Sequence, residues 1–195
     1  MSKQSKKNSI RIIGGDWRGR RLPVLDLPGL RPSTDRVRET LFNWLMHEIH
    51  SSNCLDLFAG SGALGFESLS RGAKFVQLVE LNRDATETLR KNMALFKVNA
   101  STTRAELDNQ DAIRFLGRPA STSFDIVFLD PPFQSDMIES AAELLETNCW
   151  LKGDATIYIE CDSRKSLQGL PANWLQRKQG RVGQSAFYLF QRHAK

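Results

Sequence analysis

The chain has 195 residues, 41% of them hydrophobic, enough to bury the core of one globular domain but not of two. No apolar run approaches the ~20 residues that span a bilayer, and the polar, lysine-rich start lacks the apolar stretch of a secretion signal, so a cytoplasmic protein with no membrane contact is expected. The net charge of +5 is uneven: residues 1–21 hold seven Lys/Arg against one acid, residues 163–195 hold seven against none, and the middle holds 13 against 21; this is either ordinary solvated surface or, if the two basic ends converge, a basic rim for phosphates around a pocket acidic enough for a cation.

In chain order, residues 1–9 read as a disordered basic tail and residues 10–33 as a hairpin with its connection. Ile10 to Leu22 makes two short strands around Gly14-Gly15 and Arg18-Gly19, and Asp26 to Pro32 is rich in proline and glycine. Such a basic hairpin either lies against a nucleic acid or merely covers a sheet edge. Residues 34–195 form one sheet domain. From Thr34 to about Ile49, residues Val37, Leu41, Trp44, Leu45 and Ile49 fall on one helical face, with Arg36, Arg38 and Asn43 away from it.

Next, the strand Cys54-Leu55-Asp56-Leu57-Phe58 runs into Ala59-Gly60-Ser61-Gly62-Ala63-Leu64-Gly65 and a helix to about Arg71. Gly60, Gly62 and Gly65 satisfy G-x-G-x-x-G, and Glu80 closes the following strand, Phe75 to Val79, at the spacing of a ribose-binding acid. A dinucleotide brings a pyrophosphate and favours an uncharged strand end, whereas S-adenosylmethionine brings an ammonium and a sulfonium. Asp56 favours the cation, although an acid before a turn is often only a turn or cap residue.

Asn82 caps a helix to about Lys97, with Ala85, Leu89, Met93 and Phe96 inward. A weak strand follows near Thr102 to Leu107, and Asp111 opens the short helix Ala112 to Leu116. The apolar run Phe124 to Leu129 reads as a buried parallel strand that delivers Asp130-Pro131-Pro132-Phe133 to the ligand edge. Two prolines fix that turn and remove two amide donors. They leave a cradle of acceptors beside a flat ring, suited to the exocyclic amino group of a nucleobase. Alone, the same tetrapeptide is equally a structural turn. Ser135 caps a helix to about Thr147, Thr156 to Glu160 is a strand, and Trp174 to Gln179 with Ser185 to Gln191 forms an antiparallel hairpin about Gly180 and Gly183. Cys54, Cys149 and Cys161 read as reduced thiols in apolar surroundings, and His47, His50 and His193 lack metal spacing, so no metal is expected.

Taken together these motifs resemble the class I S-adenosylmethionine-dependent methyltransferases, and more narrowly the RsmD-type 16S ribosomal RNA guanine-N2 methyltransferases. The resemblance rests on Arg11 to Arg20, Leu30 to Leu45, Asp56 to Gly65, Asp130 to Phe133 and Tyr158 to Glu160, and it covers nearly the whole chain. Ser33 stands where the family pattern often has threonine. The resemblance implies an α/β, Rossmann-like, mostly parallel seven-stranded sheet with helices on both faces, an antiparallel C-terminal hairpin and a small N-terminal hairpin. It implies S-adenosylmethionine as cofactor, with Glu80 on the ribose, Asp56 facing the methionine ammonium directly or through water, and Phe58, Ala59, Gly60, Ser61 and Gly62 beneath it. Leu81 and Ala112 would pack on the adenine, and Asp111 would receive its amino group. Asp130 and the Pro131 carbonyl would accept the guanine N2 hydrogens, Pro132 would stiffen the turn, and Phe133 would stack on the base. Arg11, Arg18, Arg20, Arg21, Arg31 and Arg36 are the RNA-binding candidates. The implied partner is 16S ribosomal RNA in a small-subunit particle, bound by a monomer. Three rivals stay open: an adenine-N6 DNA methyltransferase, a nicotinamide oxidoreductase, and a non-catalytic RNA-binding or assembly factor.

Overall fold

A computed structural model of the chain describes residues 9–25, 34–99, 104–132 and 136–194. Strands β1 (Ser9–Arg11) and β2 (Arg21–Pro23) pair as an antiparallel hairpin, and helix α1 (Asp35–Trp44) follows. The chain then alternates through β3 (Asn53–Asp56), α2 (Ala63–Ser70), β4 (Phe75–Val79), α3 (Arg83–Leu95), β5 (Arg104–Asp108), α4 (Ala112–Leu116), β6 (Phe124–Leu129), α5 (Met137–Thr147) and β7 (Leu151–Asp162). It ends in the hairpin β8 (Trp174–Val182) and β9 (Ser185–Arg192). The seven strands lie in the order β5-β4-β3-β6-β7-β9-β8, the first five parallel and β9 antiparallel to both its neighbours.

Period-two alternation sends Cys54, Val76, Ile126, Phe128 and Tyr158 into a core shared with α1, α2 and α3. Leu55, Val79, Val127, Leu129 and Ile159 enter a second core under α4 and α5. Both faces of the central strands are therefore covered, which is why those strands read as continuous apolar runs. The seven-stranded sheet, the helices on both faces and the two hairpins are as expected. No helix among the described residues is long and apolar enough to cross a membrane.

Four local expectations need correction. Helix α1 stops at Trp44, and the apolar stripe continues through Leu45 and Ile49 in turns that end at Ser51, whose φ of 62° reverses the chain. Arg38 is not on a solvent face: it is fully buried, because acids on two sides compensate its charge. Cys149 is exposed with φ 60°, taking the left-handed position just past α5 that closes a helix. Strand β7 begins five residues before Thr156 because Leu151 already pairs with Phe124 across a bulge. Asn99, just past α3, is fixed to β5: its side chain accepts from the Ala105 N–H at 2.8 Å and donates to the Ala105 carbonyl at 2.9 Å. Helix α5 has Asp136 at its N-cap position; the expected cap Ser135 lies outside the described residues.

The N-terminal hairpin is fastened to α2 by a buried acid. Glu67 accepts from the Ile13 and Gly14 amides and from Arg71 Nε, each at 2.8 Å, and lies 3.7 Å from Arg38 Nη1. Arg38 Nη2 in turn donates to the Arg11 carbonyl at 3.0 Å and to Asp35 at 2.6 Å. Ser70 receives the Trp17 amide, and the Trp17 ring packs against Phe96 with centroids 4.9 Å apart. At the other side of the molecule the outer strand β8 exposes residues 175–179, bulged at Arg177, along the sheet edge.

Helix α3 starts where expected. The Asn82 side chain accepts from the Ala85 amide at 2.9 Å, satisfying one of the first-turn donors that the helix cannot pair itself. Asn82→Ala should therefore lower unfolding free energy by about 1 kcal/mol in urea denaturation, with the m-value unchanged.

Candidate functional site

All five parallel strands end on one edge of the sheet, and the acids singled out by sequence gather there. Asp56 ends β3, Glu80 follows β4 and Asp130 follows β6. Strands β3 and β6 are hydrogen-bonded neighbours, and Asp56 pairs with Phe128, so Asp130 lies two residues beyond it in the adjacent strand. Strand rise and spacing put the two backbones about 8 Å apart.

Between β3 and α2 the chain turns tightly. Gly60 and Gly62 have φ of 51° and 77°, conformations that a side chain disfavours, and a Cβ at Gly62 would strike Leu89 and Phe66. A Cβ on Gly65 would collide with Leu78 and crowd Asp56 Oδ2 at 3.2 Å. The three glycines thus let the loop and α2 lie against the sheet, as a cradle for a ligand lying over the strand ends requires. Glu80 shapes that cradle, accepting from the Gly60 amide and from its own neighbour Asn82, each at 2.7 Å. Asp56 accepts from the Gly65 amide at 3.0 Å and is only 2% exposed. Burial, with the Glu80 charge adding to it and the Gly65 bond opposing it, pushes its carboxyl up to about 7.

Phe58, Gly60 and Ser61 are half-buried along this loop, and Ala59 is held to β4 through its amide on the Val79 carbonyl at 2.9 Å. Leu81, directly after Glu80, is an apolar side chain left 65% exposed. Asp111 does cap α4, accepting from the Arg114 amide at 2.9 Å; a carboxylate has acceptor sites beyond that one bond. Ala112 is buried behind it. Sequence reasoning missed Asn109, whose side-chain amide donates to the Glu80 and Leu81 carbonyls at 2.8 and 3.0 Å and ties the β5 loop to the β4 loop. An asparagine at a strand end was the available signal, since such amides commonly stitch turns.

On the β6 side Asp130 is half-buried, Pro131 buried and Pro132 exposed; Phe133 lies outside the described residues. Beside them in β7 the buried pair Tyr158 and Glu160 is joined by a hydrogen bond of 2.8 Å. Burial and then the charges of Glu160 and Asp130 push the Tyr158 phenol well up, so both carboxylates stand near its oxygen.

Of the basic candidates, Arg20 and its hairpin neighbour Arg18 stand away from this edge. Because α3 runs away from the Glu80 end, its last turn lies at the opposite edge, and there Arg20 donates to the Leu95 carbonyl at 3.2 Å with its guanidinium 4.0 Å over the Phe96 ring. Arg18 is exposed in the same hairpin turn. Arg11 and Arg21 face each other across β1 and β2, nearer the open end of the hairpin, and Arg36 is exposed on the first turn of α1. Arg31 lies outside the described residues.

A family model described as conserved hypothetical protein 95 matches residues 10–191. The chain is 49% identical over 190 residues to ribosomal RNA small subunit methyltransferase D of Escherichia coli strain K12, an alignment covering 97% of this chain and 93% of that protein. It is 50% identical over 186 residues to the protein of the same name from Haemophilus influenzae, covering 95% of each. The solved Escherichia coli methyltransferase yhhF matches with a TM-score of 0.86 at 48% identity, over 96% of this chain and 100% of that one.

Proposed function

We propose, for a chain that belongs to the conserved hypothetical protein 95 family and is an RsmD-type methyltransferase, that it methylates the exocyclic N2 of one guanine in 16S ribosomal RNA. The observation that carries this reading is the placement of Asp56, Glu80 and Asp130 at one sheet edge, a cradle for a cationic cofactor beside an acceptor for an amino group. S-adenosylmethionine, when bound, supplies a methyl group already made electrophilic by its sulfonium.

The chain's own residues then have to bind, orient and accept protons. Glu80, held in place by two backbone amides, receives ribose hydroxyls, and Leu81 and Ala112 flank the adenine while Asp111 takes its amino group. The loop Phe58, Ala59, Gly60, Ser61, Gly62 passes beneath. The burial of Asp56 supports the water-mediated route to the ammonium over direct contact. Guanine N2 is a weak nucleophile because its lone pair is delocalised. Asp130 and the Pro131 carbonyl, accepting hydrogen bonds from its two N–H groups, turn the lone pair toward the methyl group and stabilise the positive charge that grows on nitrogen, which is discharged when one N–H proton leaves to the Asp130 carboxylate or to water. Pro132 holds the turn rigid, and Phe133 stacks on the base. The base has to be unstacked to reach this edge, so its nucleotide is looped or flipped out.

The substrate is a small-subunit particle in the cytoplasm, and the enzyme acts as a monomer. The test is methyl transfer from radiolabelled S-adenosylmethionine to small-subunit RNA, followed by nucleoside analysis. Label is expected in N2-methylguanosine, and label in another nucleoside, or none, would overturn the reading.

The basic hairpin adds phosphate contacts. Arg11→Glu with Arg21→Glu should raise the KM for RNA about tenfold and flatten its dependence on salt, as loss of phosphate contacts does. Arg20→Glu should act chiefly on stability, because its partners are the end of α3. A KM unmoved by the double reversal across 50–200 mM salt would remove the hairpin from the interface.

A further inference from the structure

Tyr158, Glu160 and Ser185 form an arrangement that the roles above leave unused. Glu160 is 4% exposed, and its two carboxylate oxygens accept from two hydroxyls, Tyr158 at 2.8 Å and Ser185 at 2.6 Å. Those donors come from β7 itself and from β9, so the acid is oriented from both sides. Its place is set by register: Leu129 pairs with Ile159, which brings the next residues, Asp130 and Glu160, side by side in adjacent parallel strands. By alternation Asp130 shares the face of Phe128, and Glu160 that of Tyr158, two rings that meet edge-on with centroids 6.3 Å apart in the same core. The Tyr158 phenol, raised by burial and by both carboxylates, reports the same proximity. The backbones of the two acids thus stand one strand spacing apart, about 5 Å, at the edge where the base would be received.

One acceptor suffices for an amino group; a second, rigidly held beside it, fits a ligand with two adjacent donors. Guanine has such an edge, because N1–H lies next to the N2 amino group. Adenine presents at N1 a lone pair, which a carboxylate repels. The two hydroxyl bonds, one to each carboxylate oxygen, fix its orientation.

We infer that Glu160 is a specificity-determining residue, which accepts N1–H of the target guanine while Asp130 holds the N2 amino group, and so excludes bases whose N1 is an acceptor. The inference rests on the guanine-N2 reading and deepens it. Tyr158 and Ser185 are positioning residues: they hold the acceptor where the second donor arrives. Sites built around a hydrogen bond reject analogues that lack it far more strongly than apolar pockets reject a missing methyl, because the site's polar group is left facing no partner.

The experiment replaces the methylated guanine in small-subunit RNA by 2-aminopurine, which keeps the 2-amino group but has an acceptor at N1, and compares kcat/KM for the two RNAs. The wild-type enzyme is expected to prefer guanine by about 100-fold or more. With Glu160→Gln, whose amide can donate to N1, the guanine rate should fall at least tenfold and the preference shrink to within tenfold. Cofactor affinity should not move. A wild-type enzyme indifferent to the exchange would overturn the inference with no variant needed. So would a Glu160→Gln enzyme that slows equally on both RNAs, which is the behaviour of an acid that only shapes the strand end. The underlying reading fails separately, if Asp130→Ala still methylates the guanine RNA in the same assay.

Discussion

Asp130→Ala is expected to lower kcat for methyl transfer about 10³-fold while the Kd for S-adenosylmethionine stays within about twofold. The asymmetry follows from the place of Asp130 in the sheet. It follows β6, one strand away from the glycine loop, and no bond between it and the loop is needed to hold the cradle, which Glu80 and Asp56 brace from their own strands. In the proposed role, removing the carboxylate takes away an acceptor that would stabilise charge appearing on N2 only as the methyl group arrives, so the loss should fall on kcat and spare ground-state binding. Asp130→Asn keeps one acceptor oxygen but adds a donor, and should fall between. Single-turnover kinetics with titration calorimetry measures both quantities, and turnover within a few fold of wild type would remove Asp130 from the chemistry.

Asp56 governs the second large effect, through pH. Its carboxyl is pushed up to about 7, chiefly by burial, from the 3.8 of an exposed aspartate. Between those two values the folded protein holds a proton that the unfolded chain has released, so this residue's contribution favours the fold most at low pH and is lost as pH rises through 7. The ionised form is the one that attracts a cationic cofactor. Affinity for S-adenosylmethionine should therefore increase as pH goes from 6 to 8, with protons released on binding. Asp56→Asn should flatten that profile and weaken binding at pH 8 at least tenfold. It should also raise the melting temperature of the cofactor-free protein at pH 8, because it removes a buried charge while keeping an acceptor for the Gly65 amide. Equal affinities at pH 6 and 8 in the wild type would rule out an electrostatic role for Asp56.

These two acids were legible in the sequence because each is a carboxylate in or at the end of an apolar run close to a turn: Asp130 directly before two prolines, Asp56 inside Cys54 to Ala59, four residues before Gly60. The sheet was legible for the same reason, since its central strands are covered on both faces and so read as unbroken apolar runs. Arg38 and Glu67 were not. Each is a charged residue on a helix, the commonest sign of a solvent face, and only the amides of Ile13 and Gly14, more than 50 residues from Glu67, turn the pair inward. The location of Arg20 was hidden likewise: a hairpin's charge can be counted, but which end of α3 it reaches depends on how Trp17 packs against Phe96. Glu160 was visible as a residue but not as a neighbour of Asp130, because strand order and register place it there.

The outermost strand carries one more consequence. A sheet of seven strands ends in rows of open backbone amides and carbonyls, which another copy or a nascent chain can zip onto. In β8 that row is broken by the bulge at Arg177 and lined by Lys178 and Arg181. Two such borders repel when they approach, whereas an anionic polynucleotide does not. The same stretch of polar strand thus disfavours edge-to-edge stacking of copies while it presents positive charge to a polyanion.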